Sequence, residues 1–378
     1  MGRYLPEYLK SQNRRLVFDI LSREREISRA GIVRITGMSF PTVSKAADYL
    51  IEKGIAIETE EESPPEGGIG RRSRPIRFNP DAYCAVGMDF EGSTAEIGVV
   101  NMAGELLSRE RFPFSDFRDK KALSALGSRA KALARKKKTR VLGAGIGFPS
   151  NVNPGTRRIV SFGTLGIHEP VSFDELFSPL IKNLSMPFFV ENDVNLAAKG
   201  ELFCRGTEAA RSSLVYMTLG TGFGAGIILE GRLWQGQNHK AGEIGNTLAV
   251  PAGKAPPIPL ENLISAGAIN RKFNVTVEDQ PLEDERLKKR IIVYLLPYLT
   301  AALYNFVYLY DIEQFVFSGS VPRFLGSGLY TALERELSFL MNTRGRSISI
   351  VPPSSESPVV TGGASMVFEK MLLDQFQG

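Results

Sequence analysis

In the first eighty positions, apolar residues recur at helical spacing in three short runs. Leu16, Val17, Ile20 and Leu21 in NRRLVFDILSRE form the first stripe. Ser28 is placed to cap a second helix, which turns Ile32 and Ile35 inward and stops at Gly37. Ser39 caps a third, with Pro41 in its first turn, where a missing N–H costs little. Val43, Ala46, Leu50 and Ile51 mark its buried face, and Gly54 ends it. Residues 55–58 and 76–78 then predict a small hairpin with GGIGRRSRP (67–75) at its tip. Beyond NPD (79–81) the pattern becomes strands alternating with helices. Strands are expected at 85–91, 95–101, a third ending near Phe114, 141–147, 187–190, 214–219, 225–229, 314–317 and 348–351. Helices are expected at 121–137, 193–203, 285–308, 329–341 and 359–375. Hairpins followed by βαβ units, occurring twice, predict a two-lobed α/β body with a cleft between the lobes. The boundary falls near residue 80. The lobes run roughly over 81–190 and 191–345, and the C-terminal helix returns to the first lobe.

The third helix opens with Ser39, Phe40, Thr42, Ser44 and Lys45 on its uncommitted face, short polar and cationic side chains that reach phosphates and base edges in a major groove. Residues 1–57 hold ten Lys/Arg against six Asp/Glu, and 71–77 add four Arg and no acid. Arg71, Arg72 and Arg74 suit a wing lying along a phosphate backbone. The acidic, proline-bearing TEEESPPE (59–66) belongs at the hairpin base, away from DNA. Residues 1–80 thus resemble the winged helix-turn-helix of bacterial repressors, which implies double-stranded operator DNA as a partner. The run Arg135–Lys138 ends a helix, where cations offset the dipole, and reads as a solvated terminus.

Composition adds limits rather than identity. Across 378 residues, 43% are hydrophobic and 23% charged, ordinary for a globular chain of two or three domains. A formal charge of +5 permits nucleic-acid binding without requiring it. Cys84 and Cys204 stand far apart, which argues against a disulfide framework and a cysteine-rich metal site. The N-terminus has no apolar signal-like region, and no run of eighteen apolar residues occurs, so a cytoplasmic protein without a membrane partner is expected.

Four stretches carry the chemistry: GMDFEGST (87–94), ENDVNLAAKGE (191–201), TLGTGFGAG (218–226) and AGEIGN (241–246). In this order and spacing they resemble the ROK family, which joins sugar kinases and sugar-responsive repressors on an actin-like (RNase H-like) two-lobed sugar-kinase fold. The resemblance implies that Asn192, Asp193, Glu243 and Glu261 contact a sugar. In a kinase, Asp193 would be the general base that takes the proton of the attacking hydroxyl. It also implies a phosphate loop built from Asp89, Gly92, Thr218, Gly220, Thr221, Gly222 and Gly224, whose glycines bare N–H groups to phosphate. His239, in GQNHKAGE, is a further candidate sugar contact. SGSV (318–321) and TGGAS (361–365) resemble the family's nucleotide-side loops.

Two departures oppose catalysis. Small residues usually follow the early aspartate in the kinases, but here Phe90 and Glu91 follow Asp89. A carboxylate about 5 Å from a phosphate costs on the order of 3 kcal/mol per charge pair at an effective dielectric near 20. ATP is therefore not expected, although a one-residue slip placing Gly92, Ser93 and Thr94 at the phosphate would relax the argument. The family's zinc motif pairs a histidine with three cysteines. Here Asn246 takes the histidine position, and residues 246–262 contain no cysteine, so neither zinc nor any other cofactor is expected. Asn246 can still bond a sugar hydroxyl.

The expected protein is a sugar-responsive regulator, most simply a repressor, that is homodimeric because operators are symmetric; a tetramer is equally compatible. An active ATP-dependent sugar kinase with an appended DNA reader is the alternative, and a scaffold that has lost its ligand is a third reading. If Arg72 touches only phosphate, Arg72→Ala should weaken all DNA sequences alike and flatten the salt dependence by about one unit. Lys45→Ala should instead change preference among operators, as measured by fluorescence anisotropy across salt and sequence.

Overall fold

The computed structural model describes residues 4–60, 74–114, 116–160, 167, 169–206, 212–250, 256–278, 280–341, 347–373 and 376. Arg71 and Arg72 lie outside the described residues.

The N-terminal unit runs α1 (Tyr4–Glu24), β1 (Glu26–Ile27), α2 (Arg29–Thr36), α3 (Phe40–Glu52), β2 (Ala56–Glu58) and β3 (Ile76–Phe78), its strands ordered β1-β3-β2. The caps fall where the sequence puts them. Ser28 Oγ accepts from Gly31 N at 3.0 Å, and Gly37 closes α2 in the left-handed region. Val17, Ile20, Leu21, Ile32, Val43, Ala46 and Leu50 are buried as expected. Leu16 and Ile35, expected inward, are 42% and 50% exposed. Leu16 is turned about 100° from Val17 on its helix. The two-turn α2 buries only Gly31 and Ile32, leaving Ile35 beyond the three-helix contact. The strand β1 was not anticipated; two residues are too short for any periodicity to reveal.

The body repeats one topology. In the first lobe, β4 (Tyr83–Glu91), β5 (Thr94–Asn101) and β6 (Leu106–Pro113) form an antiparallel meander. β7 (Arg140–Phe148) and β11 (Phe188–Asn192) then add in parallel beside β4. Between them come α4 (Lys120–Arg135), a small sheet of β8 (Val152–Asn153), β9 (Arg158–Ile159) and β10 (Val171–Ser172), α5 (Phe173–Leu176) and α6 (Ser178–Leu184). After α7 (Asp193–Arg205), the second lobe builds the same pattern. Its meander is β12 (Leu214–Leu219), β13 (Phe223–Leu229) and β14 (Arg232–Trp234). A two-stranded ladder of β15 (Leu248–Ala249) and β16 (Ile258–Pro259) precedes α8 (Glu261–Ile264), α9 (Ala266–Phe273) and α10 (Glu285–Tyr310). β17 (Gln314–Ser318), α11 (Ser320–Leu325), α12 (Ser327–Met341) and β18 (Ser349–Val351) follow, with β17 and β18 parallel to β12. Each lobe therefore presents the turn of its first hairpin, Gly92 in one and Gly220–Gly222 in the other, at the equivalent place. Although α10 is long and apolar enough to cross a bilayer, Ile291, Leu295, Leu299 and Leu303 bury one of its faces in the second lobe's core.

The last helix, α13 (Pro358–Phe368), packs on the first lobe's sheet and against α7 with almost no side-chain spacing. A Cβ at Gly362 would stand 1.8 Å from the Leu196 carbonyl oxygen, and one at Gly200 2.2 Å from that of Pro358. Residues 361–365 therefore form the interior of a buried helix and not a nucleotide-side loop; their glycines serve helix contact. A π-helical turn, Glu369–Leu373, carries the chain on to Phe376, buried in the N-terminal unit against the edges of Phe18 and Tyr49. Arg14 stacks on Tyr49, 3.6 Å from the ring centroid, and donates to the Phe376 carbonyl at 2.8 Å. Lys199 of α7 pairs with Glu369, which holds that carboxyl below its usual range even though burial acts in the opposite sense.

Phe376→Ala should cost on the order of 3 kcal/mol, since it removes a fully packed aromatic from between two units. Calorimetry of the full chain should show the N-terminal unit unfolding separately. A single unchanged transition would show that the contact carries no weight.

Candidate functional site

The cleft floor follows from the alternation of β4. Met88 and Phe90 turn into the first lobe's core, where Phe90 meets Phe114 and Phe117, so Asp89 and Glu91 share the opposite face. Asp89 faces Asp193, Glu91 and Glu96, and both burial and these like charges push its carboxyl well above the ordinary range. Asp193 sits in the first turn of α7 and accepts the Val194 N–H at 2.8 Å. Burial first, then Glu91 and Glu243, raise its pKa to about 7. Neither aspartate has an ion-pair partner among the described residues. Glu91 does: the guanidinium of Arg323, from α11 in the other lobe, donates to it at 2.9 Å. That pair links the two lobes beside the Gly92 turn, and any anion brought to it would compete with Glu91 for Arg323.

At its N-terminus, α7 is held by its own cap. Asn192 Oδ1 accepts from Asn195 N at 3.0 Å, and its Nδ2 reaches the Ser150 carbonyl at 3.4 Å, so this side chain is largely committed to structure. Behind it the buried Glu191 accepts from Asn192 N, Asn195 Nδ2 and Gln235 Nε2, while burial raises its carboxyl. Glu243 and Asn246 are exposed and bonded to each other at 2.9 Å. The Glu261 carboxylate lies against the Gly222 and Gly245 backbones, with 3.5 Å and 2.9 Å left to a methyl group at either. His239 adopts φ 53°, its charge is felt by Glu191, and its Nδ1 is buried without a protein partner among the described residues. Glu243 lies near enough to Asp193 to raise its carboxyl, Glu261 borders the Gly245 backbone two positions from Glu243, and His239 lies toward Glu191. Sequence reasoning missed Glu191, Gln235 and Arg323. Glu191 stood inside a quoted motif, but nothing in its neighbours marks it as buried.

The glycine-rich stretch divides into two parts. Gly220 N bonds Gly222 O at 2.9 Å, and Gly220 O accepts from Ala266 N at 2.7 Å, forming a tight turn with Thr221 exposed at its tip. Thr218 pairs in register with Gly224 and, on its other side, with Ser318. Gly224 is not at the turn: a Cβ there would meet Val194 Cγ2 at 3.1 Å, and one at Gly226 would meet Ala198 Cβ at 2.6 Å. Both let α7 approach β13. Gly92 occupies the opposite hairpin turn with φ 59° and open space around it.

Residues 246–250 and 256–262 offer the amides of Asn246 and Asn262, the Thr247 hydroxyl, Glu261 and apolar side chains, with no thiolate or imidazole, a donor set that does not fit zinc. Pairing of Leu248 with Pro259 and Ala249 with Ile258 orders this segment instead.

On the N-terminal unit, Phe40 and Lys45 are exposed, and Thr42 and Ser44 half-buried, on one end of α3. Ser39 and Thr42 bond each other through their hydroxyls at 2.8 Å, so both act in the cap. Arg74 is exposed. Arg29, overlooked in the sequence, ties α2 to α3 and β2 through Asp48 and Glu58 at 2.8 and 2.7 Å.

A family model described as "ROK family" matches residues 85–370. The xylose repressor of Caldicellulosiruptor bescii is 29% identical over 245 residues, 63% of this chain and 59% of its own length. The glucokinase of Halalkalibacterium halodurans is 32% identical over 177 residues, 45% of this chain and 52% of its own. The chain thus spans less than two thirds of either relative. A crystal structure of a ROK family transcriptional regulator, a homologue of the Escherichia coli Mlc protein, superposes with a TM-score of 0.75 at 21% identity, covering 98% of each chain.

Because the carboxyl of Asp193 is raised from 3.8 to about 7, its stabilising contribution is complete below pH 3.8 and is lost as pH climbs through about 7. Asp193→Asn should therefore gain stability over the wild type between those limits, by up to about 4 kcal/mol, and by a constant amount above pH 8. Parallel denaturation curves showing no pH dependence in the difference would place Asp193 in water, away from its acidic neighbours.

Proposed function

The chain belongs to the ROK family, and from that premise we propose that it is a sugar-responsive transcriptional regulator, acting as a repressor. Its N-terminal unit reads operator DNA as a homodimer, and a sugar or sugar derivative occupies the interlobe cleft. One observation carries this reading: the Glu91–Arg323 pair closes the phosphate side of the cleft while Asp193, Glu243 and Glu261 leave the polyol side furnished with acceptors. Carboxylates that accept pairs of hydroxyls suit a sugar, and Asn246 and His239 add an amide and an imidazole.

The path from cleft to DNA is short. α7 begins at Asp193, packs backbone to backbone on α13, and α13 leads to Phe376 inside the reader. Glu91 and Arg323 are both substantially exposed, so their pair is worth no more than about 1 kcal/mol. A ligand of modest affinity can reset the lobes against so weak a latch. By linkage, sugar and DNA then change each other's affinity by one common factor.

The kinase alternative keeps support from Asp193 and the intact turn at Gly220–Gly222, and from the glucokinase relative. The proposed regulator needs neither ATP nor zinc. The deciding experiment measures operator affinity by anisotropy with a panel of sugars, alongside ATP turnover with the same sugars. A change of about fivefold or more with one sugar, weakened by Glu243→Ala or Glu261→Ala and without turnover, is expected. Turnover abolished by Asp193→Asn would install the kinase instead. A folded dimer on a verified operator that ignores every sugar would leave only the ligand-free scaffold.

A further inference from the structure

Positive charge is concentrated on the first lobe as well as on the DNA reader. Residues 118–140 contain ten Lys/Arg and one acid, whereas the whole chain carries only +5, so the remainder is net acidic. Some of these cations are spoken for: Arg129 and Lys136 lie near Glu110, at 3.8 and 3.7 Å, and Lys137 donates to the Leu107 carbonyl at 3.0 Å. Others are not. Lys131 and Arg135 of α4 join Lys182 of α6 in lining a single cavity of about 440 Å³, with Ser128, Asn183 and Ser185 completing its wall. None of the three cations has an ion-pair partner among the described residues, and no acid lines the cavity.

The cavity is shaped by helix packing. α4 and α6 touch at Gly127, where a Cβ would stand 2.2 Å from the Leu180 carbonyl oxygen, and the opening lies toward their C-terminal ends, beside that contact. Asn183 is pinned by donating to Ser124 Oγ at 2.9 Å and to the Pro179 carbonyl at 2.8 Å, which fixes the α6 wall. Arg135 and Lys182 stand in the last turns of their helices, where they offset macrodipoles worth about half a negative charge each. Three cations against two such termini leave the cavity with about two uncompensated positive charges. The volume falls within the roughly 300–1,000 Å³ of small-molecule clefts, and a concave recess between two helices does not follow a duplex backbone.

We propose that this α4–α6 recess is an anion site for a phosphate group, free or as the phosphoryl end of a small phosphorylated molecule, separate from the interlobe cleft. Lys131, Arg135 and Lys182 neutralise the dianion, and the hydroxyl of Ser128 donates to it.

The test is calorimetric titration of the full chain with inorganic phosphate, glucose 6-phosphate and glucose at constant ionic strength. Phosphate and the phosphosugar should bind, and Lys131→Glu combined with Lys182→Glu should weaken both at least about tenfold. Ala132→Trp, which fills the recess without altering charge, should do the same, and Lys120→Glu combined with Lys121→Glu should change little. Tighter binding of glucose 6-phosphate than of phosphate at the recess would assign the phosphorylated molecule; equal binding would assign the free ion. Glucose heat that survives all these variants belongs to the interlobe cleft and keeps the two sites apart. No phosphate binding by the wild type, or full binding by Ala132→Trp, overturns the proposal. So does a double variant that keeps its phosphate affinity but loses operator affinity, since the recess would then be a DNA contact.

Discussion

Everything in the body leans on the absence of side chains where α13 meets α7. Gly362 and Gly200 bring the two helices so close that a methyl group at either would overlap a carbonyl oxygen. Contacts of this kind have no slack: a packed backbone interface moves as a unit or not at all. The first residue of α7 is Asp193, and beyond α13 Phe376 is buried against the N-terminal unit. The same interface that holds the first lobe to the second therefore also links the start of α7 to the N-terminal unit.

Electrostatics in the cleft divide in a way that the fold makes intelligible. The first hairpin turn of each lobe stands at the equivalent place in its own sheet. One of them is bordered by Glu91, paired across the gap to Arg323. Asp89 and Asp193 have no ion-pair partner among the described residues, and each is driven toward its neutral form. A phosphate would add negative charge to a place already burdened with it, whereas a hydroxyl-rich neutral ligand would supply donors. Charge balance, more than shape, separates these two guests.

The N-terminal unit is joined to the body by aromatic edges and one guanidinium. Arg14 meets both the Tyr49 ring and the Phe376 carbonyl, so the third helix, the C-terminal segment and the first helix share one anchor. Rotation of α3 relative to the body would have to break that anchor or carry it along. This contact ties the N-terminal unit to the body beyond the covalent connection near residue 80.

The order of elements, the caps at Ser28 and Ser39, the hairpin turns and the two-lobed pattern were legible in the sequence, because each depends on residues within one or two helical turns. The four motifs likewise announced a cleft and the family that shares it. What remained hidden depended on distance along the chain. Gly224 read as a phosphate-loop residue and the glycines of 361–365 as a nucleotide-side loop, because a glycine needed for a turn and one needed for close packing are spelled alike. Tertiary contacts alone assigned them to helix packing. Arg323 lies 232 positions from Glu91, and Phe376 lies 362 from Arg14, yet each pair is hydrogen-bonded. No local pattern encodes a partner so remote, and only the folded chain could reveal which charges are paired and which stand alone.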